Sequence, residues 1–344
     1  MGLFAAAQQS IVLAETIKIT AVAGHSPVYP WVKVISQTFI PTVDESIRGS
    51  GHAVEWTELY AGTLAPVGGE LETIEEGLAE LGAVLTVFEP AKLAPQNITY
   101  YTPFATSELR IVSDLLNAMQ FENELMKTTW ETNGLEYLGG GFVVDDYFLM
   151  TNFPVRELAD LKGRRIAAPG PALSWLSGTG AVGVTGNLTT YYNELKTGVY
   201  DGVITFATAA LPAKLHEIAP HILQLGFGAQ YAGGLAANRD WFFSQPPELQ
   251  EALKKAAEET RDVFLQELSQ SVDSSMEKMI ANGAVVTVAD KQLRRMWSNS
   301  LDNIAQQWAV NLDERGLSGT AVLTGYMDAV RKAGVKPLRH WDKD

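Results

Sequence analysis

From Thr16 to Ala23 the chain alternates apolar and polar side chains, then meets the turn residues Gly24-His25-Ser26-Pro27. A period of two ending in such residues predicts a strand stopped by a loop. Tyr29 to Ile47 places Val32, Ile35 and Phe39 at helical spacing, and Ala53 to Leu59 returns to a strand pattern. Glu70 to Leu81 is helical by pattern, whereas Ala83 to Phe88 is a short apolar run closing at Glu89-Pro90, as a buried strand would be. Strands and helices therefore alternate from the start. That order predicts a mostly parallel sheet with helices on its faces and ligand sites at the carboxyl ends of the strands.

The pattern then repeats with different punctuation. Ser107 to Glu131 is a long helical segment, Gly139-Gly140-Gly141 and the strand-like Phe142 to Thr151 follow, and a change of lobe is expected near Pro154. Arg165 to Ala168 reads as a strand entering the Pro169-Gly170-Pro171 turn, Thr190 to Thr197 as a helix, and Gly202 to Phe206 as another strand. Pro246 to Asn282, Lys291 to Asp313 and Ser318 to Ala333 are helical, with the Glu/Lys spacing of exposed helix faces. With 344 residues the chain exceeds the size at which one hydrophobic core keeps growing, so two α/β lobes are expected. We assign 15–137 to lobe I, 138–235 to lobe II with the hinge strands, and 236–344 to a helical scaffold crossing both lobes. Met1 to Ala14 ends in small residues like a signal-peptidase site but lacks a basic start and a full apolar core; it reads as the remnant of a signal peptide.

Composition narrows the function mainly by exclusion. The formal net charge of −14 repels phosphate backbones and anionic lipid surfaces, and no run of Lys and Arg offsets it, so nucleic acid is not an expected partner. The absence of cysteine excludes disulfides, thiol catalysis and thiolate metal sites. No run of eighteen apolar residues occurs, so no helix is expected to insert in a membrane. The five histidines show no metal-ligand spacing, and nucleophile-elbow and P-loop motifs are missing. Gly178 to Gly183 matches a bare G-x-G-x-x-G without a clear strand before it, and the S-x-x-K at Ser275 to Lys278 lacks its S-D-N partner. Asp145 and Asp146 are neighbours on a strand pattern and point to opposite faces. No catalysis, cofactor or metal is expected from these residues.

Two segments carry a family resemblance. Pro154 to Ile166, with Asp160-Leu161-Lys162-Gly163 feeding a strand, and Tyr192 to Gly202, with Gly198-Val199-Tyr200-Asp201-Gly202 turning a helix into a strand, resemble the DctP-type substrate-binding proteins of tripartite ATP-independent periplasmic (TRAP) transporters. Leu64 to Leu81 and Thr102-Pro103-Phe104 are similar to further family elements. The resemblance implies a two-lobed periplasmic binding protein fold with hinge strands and a long bracing helix. It also implies a periplasmic, monomeric, non-catalytic receptor that closes on one small solute and delivers it to membrane subunits.

The departures from the family pattern bear on the ligand. Where the family carries an arginine that grips a ligand carboxylate, this sequence has Ala167, and a second arginine position aligns with Tyr147. A buried carboxylate without a paired cation costs several kcal/mol. An amine, amino alcohol or neutral solute is therefore expected, and an organic acid held by a non-standard site, with Arg165 as its cation, is the alternative. A two-lobed enzyme is a third reading. Candidate ligand contacts are Glu58 and Tyr60, Phe88 and Glu89, Asp145 and Tyr147, Trp175, Thr205 and His25, carboxylates and aromatic faces being what an ammonium needs.

Overall fold

A computed structural model describes residues 15–344; the segment read as a leader remnant, 1–14, lies outside the described residues. The strands are β1 (Glu15–Val22), β2 (His52–Leu59), β3 (Leu81–Leu85), β4 (Leu135–Val144), β5 (Phe148–Thr151), β6 (Arg165–Ala168), β7 (Val182–Thr185), β8 (Gly202–Thr205), β9 (His221–Gln224), β10 (Gln230–Asn238) and β11 (Val285–Val288). They form a five-stranded sheet in the order β2-β1-β3-β10-β4 and a six-stranded sheet in the order β11-β9-β5-β8-β6-β7. In the first, β1 runs parallel to β2 and β3, while β10 is antiparallel to β3 and β4. In the second, β6 is parallel to β7 and β8, and β5 is antiparallel to β8 and β9. The two-lobed α/β fold expected from the sequence is present.

The chain passes between the sheets three times, from β4 to β5, from β9 to β10 and, through the long helix, from β10 to β11. The sequence-based boundaries at 138 and 235 fall inside β4 and β10, both strands of the first sheet. The long helix Pro247–Ala281 lies against β4 and the helical turns of residues 30–46, and reaches the short helix Ala207–Ala210 that follows β8, so it touches both lobes. Its approach to β4 depends on glycine. Gly139 has φ +132°, and a Cβ there would stand 3.2 Å from Ala257 Cβ on the helix.

Several elements are shorter than the pattern suggested, for local reasons. The helix expected over 29–47 runs Pro30–Val34, widens to a π-turn over Ile35–Phe39 and resumes over Ile40–Ser46. Pro41 has no N–H to give to an upstream carbonyl, and the wider turn precedes it. The helix expected over 70–81 ends at Glu75, followed by Gly77 with φ +71°. The segment 107–131 breaks at Asn123, whose side chain accepts the Met126 N–H and starts a new helix; Asn303 does the same for Gln306 within 291–313.

Candidate functional site

The closed cleft between the lobes holds a small cavity. Its volume is about 40 Å³. From lobe I come His25, Trp31, Leu85, Val87, Phe88, Tyr100 and Ala232; from the crossing after β4 and from lobe II come Val144, Tyr147, Pro169, Asn187, Leu188, Tyr191, Ile204, Thr205 and Phe206. There is no Asp, Glu, Lys or Arg on this wall.

The wall is a box of rings. His25 meets Tyr29, Trp31 and Phe88 with ring centroids 5.5, 5.4 and 5.9 Å away. Trp31 stacks on Tyr29 at 4.9 Å and approaches Phe206 at 6.1 Å, and Phe206 meets Tyr147 at 5.0 Å. Trp175 sits behind this layer. Its ring stacks on Tyr100 and Phe227, its Nε1 donates to the Tyr100 carbonyl at 2.6 Å, and its own carbonyl accepts from Trp297 Nε1. A helical segment of each lobe is thereby tied into one aromatic stack.

Polar groups within the box are few and mostly unpaired. Both imidazole nitrogens of His25, the Trp31 Nε1–H and the Thr205 hydroxyl are buried without a hydrogen-bond partner among the described residues. Native proteins pair more than nine in ten of their buried polar groups, so several orphans on one wall mark a place where something else is to be bound. Tyr100 and Tyr147 satisfy each other, hydroxyl to hydroxyl, at 3.2 Å. Burial shapes the protonation states: the His25 imidazolium is pushed down to about 4, and the Tyr147 and Tyr191 hydroxyls are driven far above the ordinary phenol range. At neutral pH the cavity is therefore uncharged, with a neutral imidazole as one donor and one acceptor.

Of the residues singled out in the sequence, His25, Phe88, Tyr147 and Thr205 line the cavity. The others are elsewhere. Glu58 is exposed and accepts from Ser36 Oγ, with Tyr60 beside it; the Tyr60 hydroxyl is raised first by burial. Asp145 is buried, but its carboxylate is turned to the Ala207 N–H (2.8 Å) and the Thr208 hydroxyl, capping the helix that follows β8; burial raises it to about 6 against these bonds. Glu89 stands among Glu72, Glu70 and Glu75, raised to about 8 chiefly by burial and then by those neighbours. Trp175 belongs to the second layer. Ala167 is fully buried in the core of lobe II, and Arg165, its side chain 46% exposed, pairs with Asp201 and donates to the Gly198 carbonyl at the far end of β6. The four-residue strand keeps its start outside and its end at the cleft.

Reading the chain for strand ends missed the residues that helices deliver. Trp31, Tyr100 and Tyr191 lie on helices or helical turns, where the spacing pattern signals core and not cavity. Phe206 was within reach, because it directly follows β8 at the edge that β/α topology reserves for ligands. Among the described residues no group of three or more His, Asp or Glu is arranged to hold a metal ion, and no helix is long and apolar enough to cross a membrane.

Comparison with known proteins supplies the context. Residues 43–311 match the family described as bacterial extracellular solute-binding protein, family 7 (DctP). No curated protein matches the chain. Among solved structures it is similar to DctP6 of Bordetella pertussis, an extracytoplasmic solute receptor binding pyroglutamic acid (18% identity, 92% of this chain and 100% of that one, TM-score 0.78). It is also similar to a TRAP solute-binding protein from a marine metagenome, in complex with co-purified pyroglutamate (17% identity, 92% and 99%, TM-score 0.79). A third is a TRAP periplasmic solute-binding protein of Desulfovibrio desulfuricans with bound sn-glycerol-3-phosphate (18% identity, 94% and 99%, TM-score 0.77).

Proposed function

Because the chain belongs to family 7 of the bacterial extracellular solute-binding proteins, periplasmic receptors that bind small solutes and work with membrane subunits of TRAP transporters, we propose that its aromatic cavity captures an uncharged solute. The solute is small, planar in part, and carries at least one acceptor and one donor. The observation that carries this reading is the combination of unpaired polar atoms on His25, Trp31 and Thr205 with a wall lacking any charged side chain.

Neither kind of ion finds a counter-charge in this cavity. A carboxylate solute, such as the pyroglutamate of two structural neighbours, would find no cation in the cavity, and Arg165 points elsewhere. An ammonium would gain from the ring faces, about 0.5 to 2 kcal/mol for each good contact. It would still lack a carboxylate, since Glu58, Glu89 and Asp145 are outside the lining. Burying either ion unpaired costs several kcal/mol, more than one or two such contacts return. A neutral solute carries no such cost, and its carbonyl or hydroxyl matches the Trp31 N–H, the Thr205 hydroxyl and His25.

An isosteric series isolates the charge. Benzamide, benzylamine and benzoate differ little in shape, and a ligand bound only by the native state raises its melting temperature through mass action. We expect stabilisation by benzamide or by neutral heterocyclic amides at concentrations where benzylamine and benzoate give none. Saturable binding of benzoate or benzylamine tighter than that of the neutral members would sink the proposal, while the receptor role would stand.

A further inference from the structure

A second groove lies on the hinge side of the molecule, apart from the cavity. It offers about 750 Å³ to water-sized spheres, and its walls come from residues 104–108, from Gly226 in the crossing between β9 and β10, from the helix Lys291–Ser300 and from residues 333–338. Four cations, Lys291, Arg294, Arg295 and Lys336, line it, against one carboxylate, Glu108. The whole chain carries 40 acidic and 26 basic residues, so this grouping opposes the general field of the protein.

These four cations are also unspent. Among the described residues twelve of the 26 lysines and arginines are bridged to carboxylates, and none of the four is one of them. Arg294 is fixed in place: its guanidinium lies over Gly226, where a Cβ would meet Nη2 at 2.8 Å, and its buried Nε–H has no partner. The half-buried carboxylate of Asp146 accepts from the Gly228 N–H at 2.7 Å and from Ser107, and it feels the charge of Arg294 without forming an ion pair with it. A planar guanidinium with a free donor, flanked by three exposed cations, is suited to an anion bearing several oxygens.

We propose that this hinge groove is a binding site for a multivalent anion, carboxylate- or phosphate-bearing, independent of the solute cavity. Its source is either a free small polyacid or an acidic stretch of another polypeptide, and the two share the same chemistry at Arg294 and Arg295. The groove joins segments anchored to both sheets across the β9–β10 crossing, so an anion there bears on the hinge itself.

Calorimetric titration of the full chain with citrate, pyrophosphate and a hexaglutamate peptide, at ionic strength held constant with sodium chloride, tests this. We expect saturable binding of at least one probe, weakened about tenfold or more in the Arg294→Gln variant, the loss of one charge-assisted hydrogen bond. The Arg295→Gln/Lys336→Gln double variant, whose side chains are exposed and carry no packing role, should weaken it likewise without changing the melting temperature of the free protein. Binding of citrate or pyrophosphate identifies a small-anion site; binding of hexaglutamate alone identifies a docking groove for an acidic segment. Absence of saturable binding for all three probes, or equal affinity in wild type and both variants, overturns the proposal.

Discussion

His25 offers the sharpest test of the cavity, because its environment converts directly into a pH-dependent stability. The imidazole is 2% exposed, surrounded by Tyr29, Trp31 and Phe88, and no acid stands on the cavity wall to support a charge. Burial depresses it to about 4, against 6.5 in the unfolded chain. Between those values the unfolded state binds a proton that the native state refuses. Stability is therefore full above pH 6.5 and is lost as the pH falls toward 4. Integrating the two titrations from pH 7.5 to pH 4.5 gives a loss of about 2 to 3 kcal/mol from this one side chain. In a His25→Phe variant the ring and its packing are kept while the titration is removed. Urea unfolding of both proteins at pH 7.5, 5.5 and 4.5 measures the difference, and every other titrating group cancels. The variant should gain about 2 to 3 kcal/mol on wild type across that range, with about half of it present by pH 5.5. Parallel pH profiles for the two proteins would refute the claim that His25 is held neutral in a dry site.

Other expectations follow from the same geometry. Thr205→Val removes a buried hydroxyl without a partner, so the free protein should keep or slightly raise its melting temperature while solute affinity, read by calorimetry, falls about tenfold. Asp145→Ala leaves the Ala207 N–H and the Thr208 hydroxyl without their acceptor and should cost about 2 to 4 kcal/mol in urea unfolding. Asp145→Asn keeps both partners, because the Thr208 hydroxyl can accept from the amide. Asp145 is raised to about 6 by burial, so its ionisation costs stability as the pH climbs from 3.8 through 6, and the Asn variant should gain about 2 to 3 kcal/mol on wild type between pH 4 and pH 7.5. Arg165→Ala should leave solute affinity unchanged, since that guanidinium is half exposed and paired with Asp201; a tenfold loss would restore the organic-acid reading.

Much of the architecture was legible along the chain. β1, β2, β6 and β8 and the helix Pro247–Ala281 lie within a residue or two of their sequence patterns, because each is either a clean alternation, a run bounded by turn residues, or a long amphipathic repeat. β10 was not. Its sequence, Gln-Tyr-Ala-Gly-Gly-Leu-Ala-Ala-Asn, has no alternation, because the strand is buried and paired on both sides, between β3 and β4 of the first sheet. The breaks at Asn123 and Asn303 were visible only as asparagines within helical patterns, and their capping bonds needed coordinates to be seen.

The solute site divides along the same line. Sequence alone determined that the chain builds two α/β lobes and that Thr205, Phe88, Tyr147 and His25 stand near strand ends. It left the three carboxylates Glu58, Glu89 and Asp145 as candidates for an ammonium, because the direction of a side chain at a loop is set by neighbours far away in the chain. Folding decided that direction: Asp145 turns to a helix end more than sixty residues on, and Glu58 to Ser36 at the surface. The same long-range packing closes the rings of Trp31, Tyr100, Tyr191 and Phe206 around one uncharged space, and gathers Lys336 beside Arg294 and Arg295 on the hinge. Local periodicity writes the elements; which polar atoms are left without a partner is a property of how those elements meet.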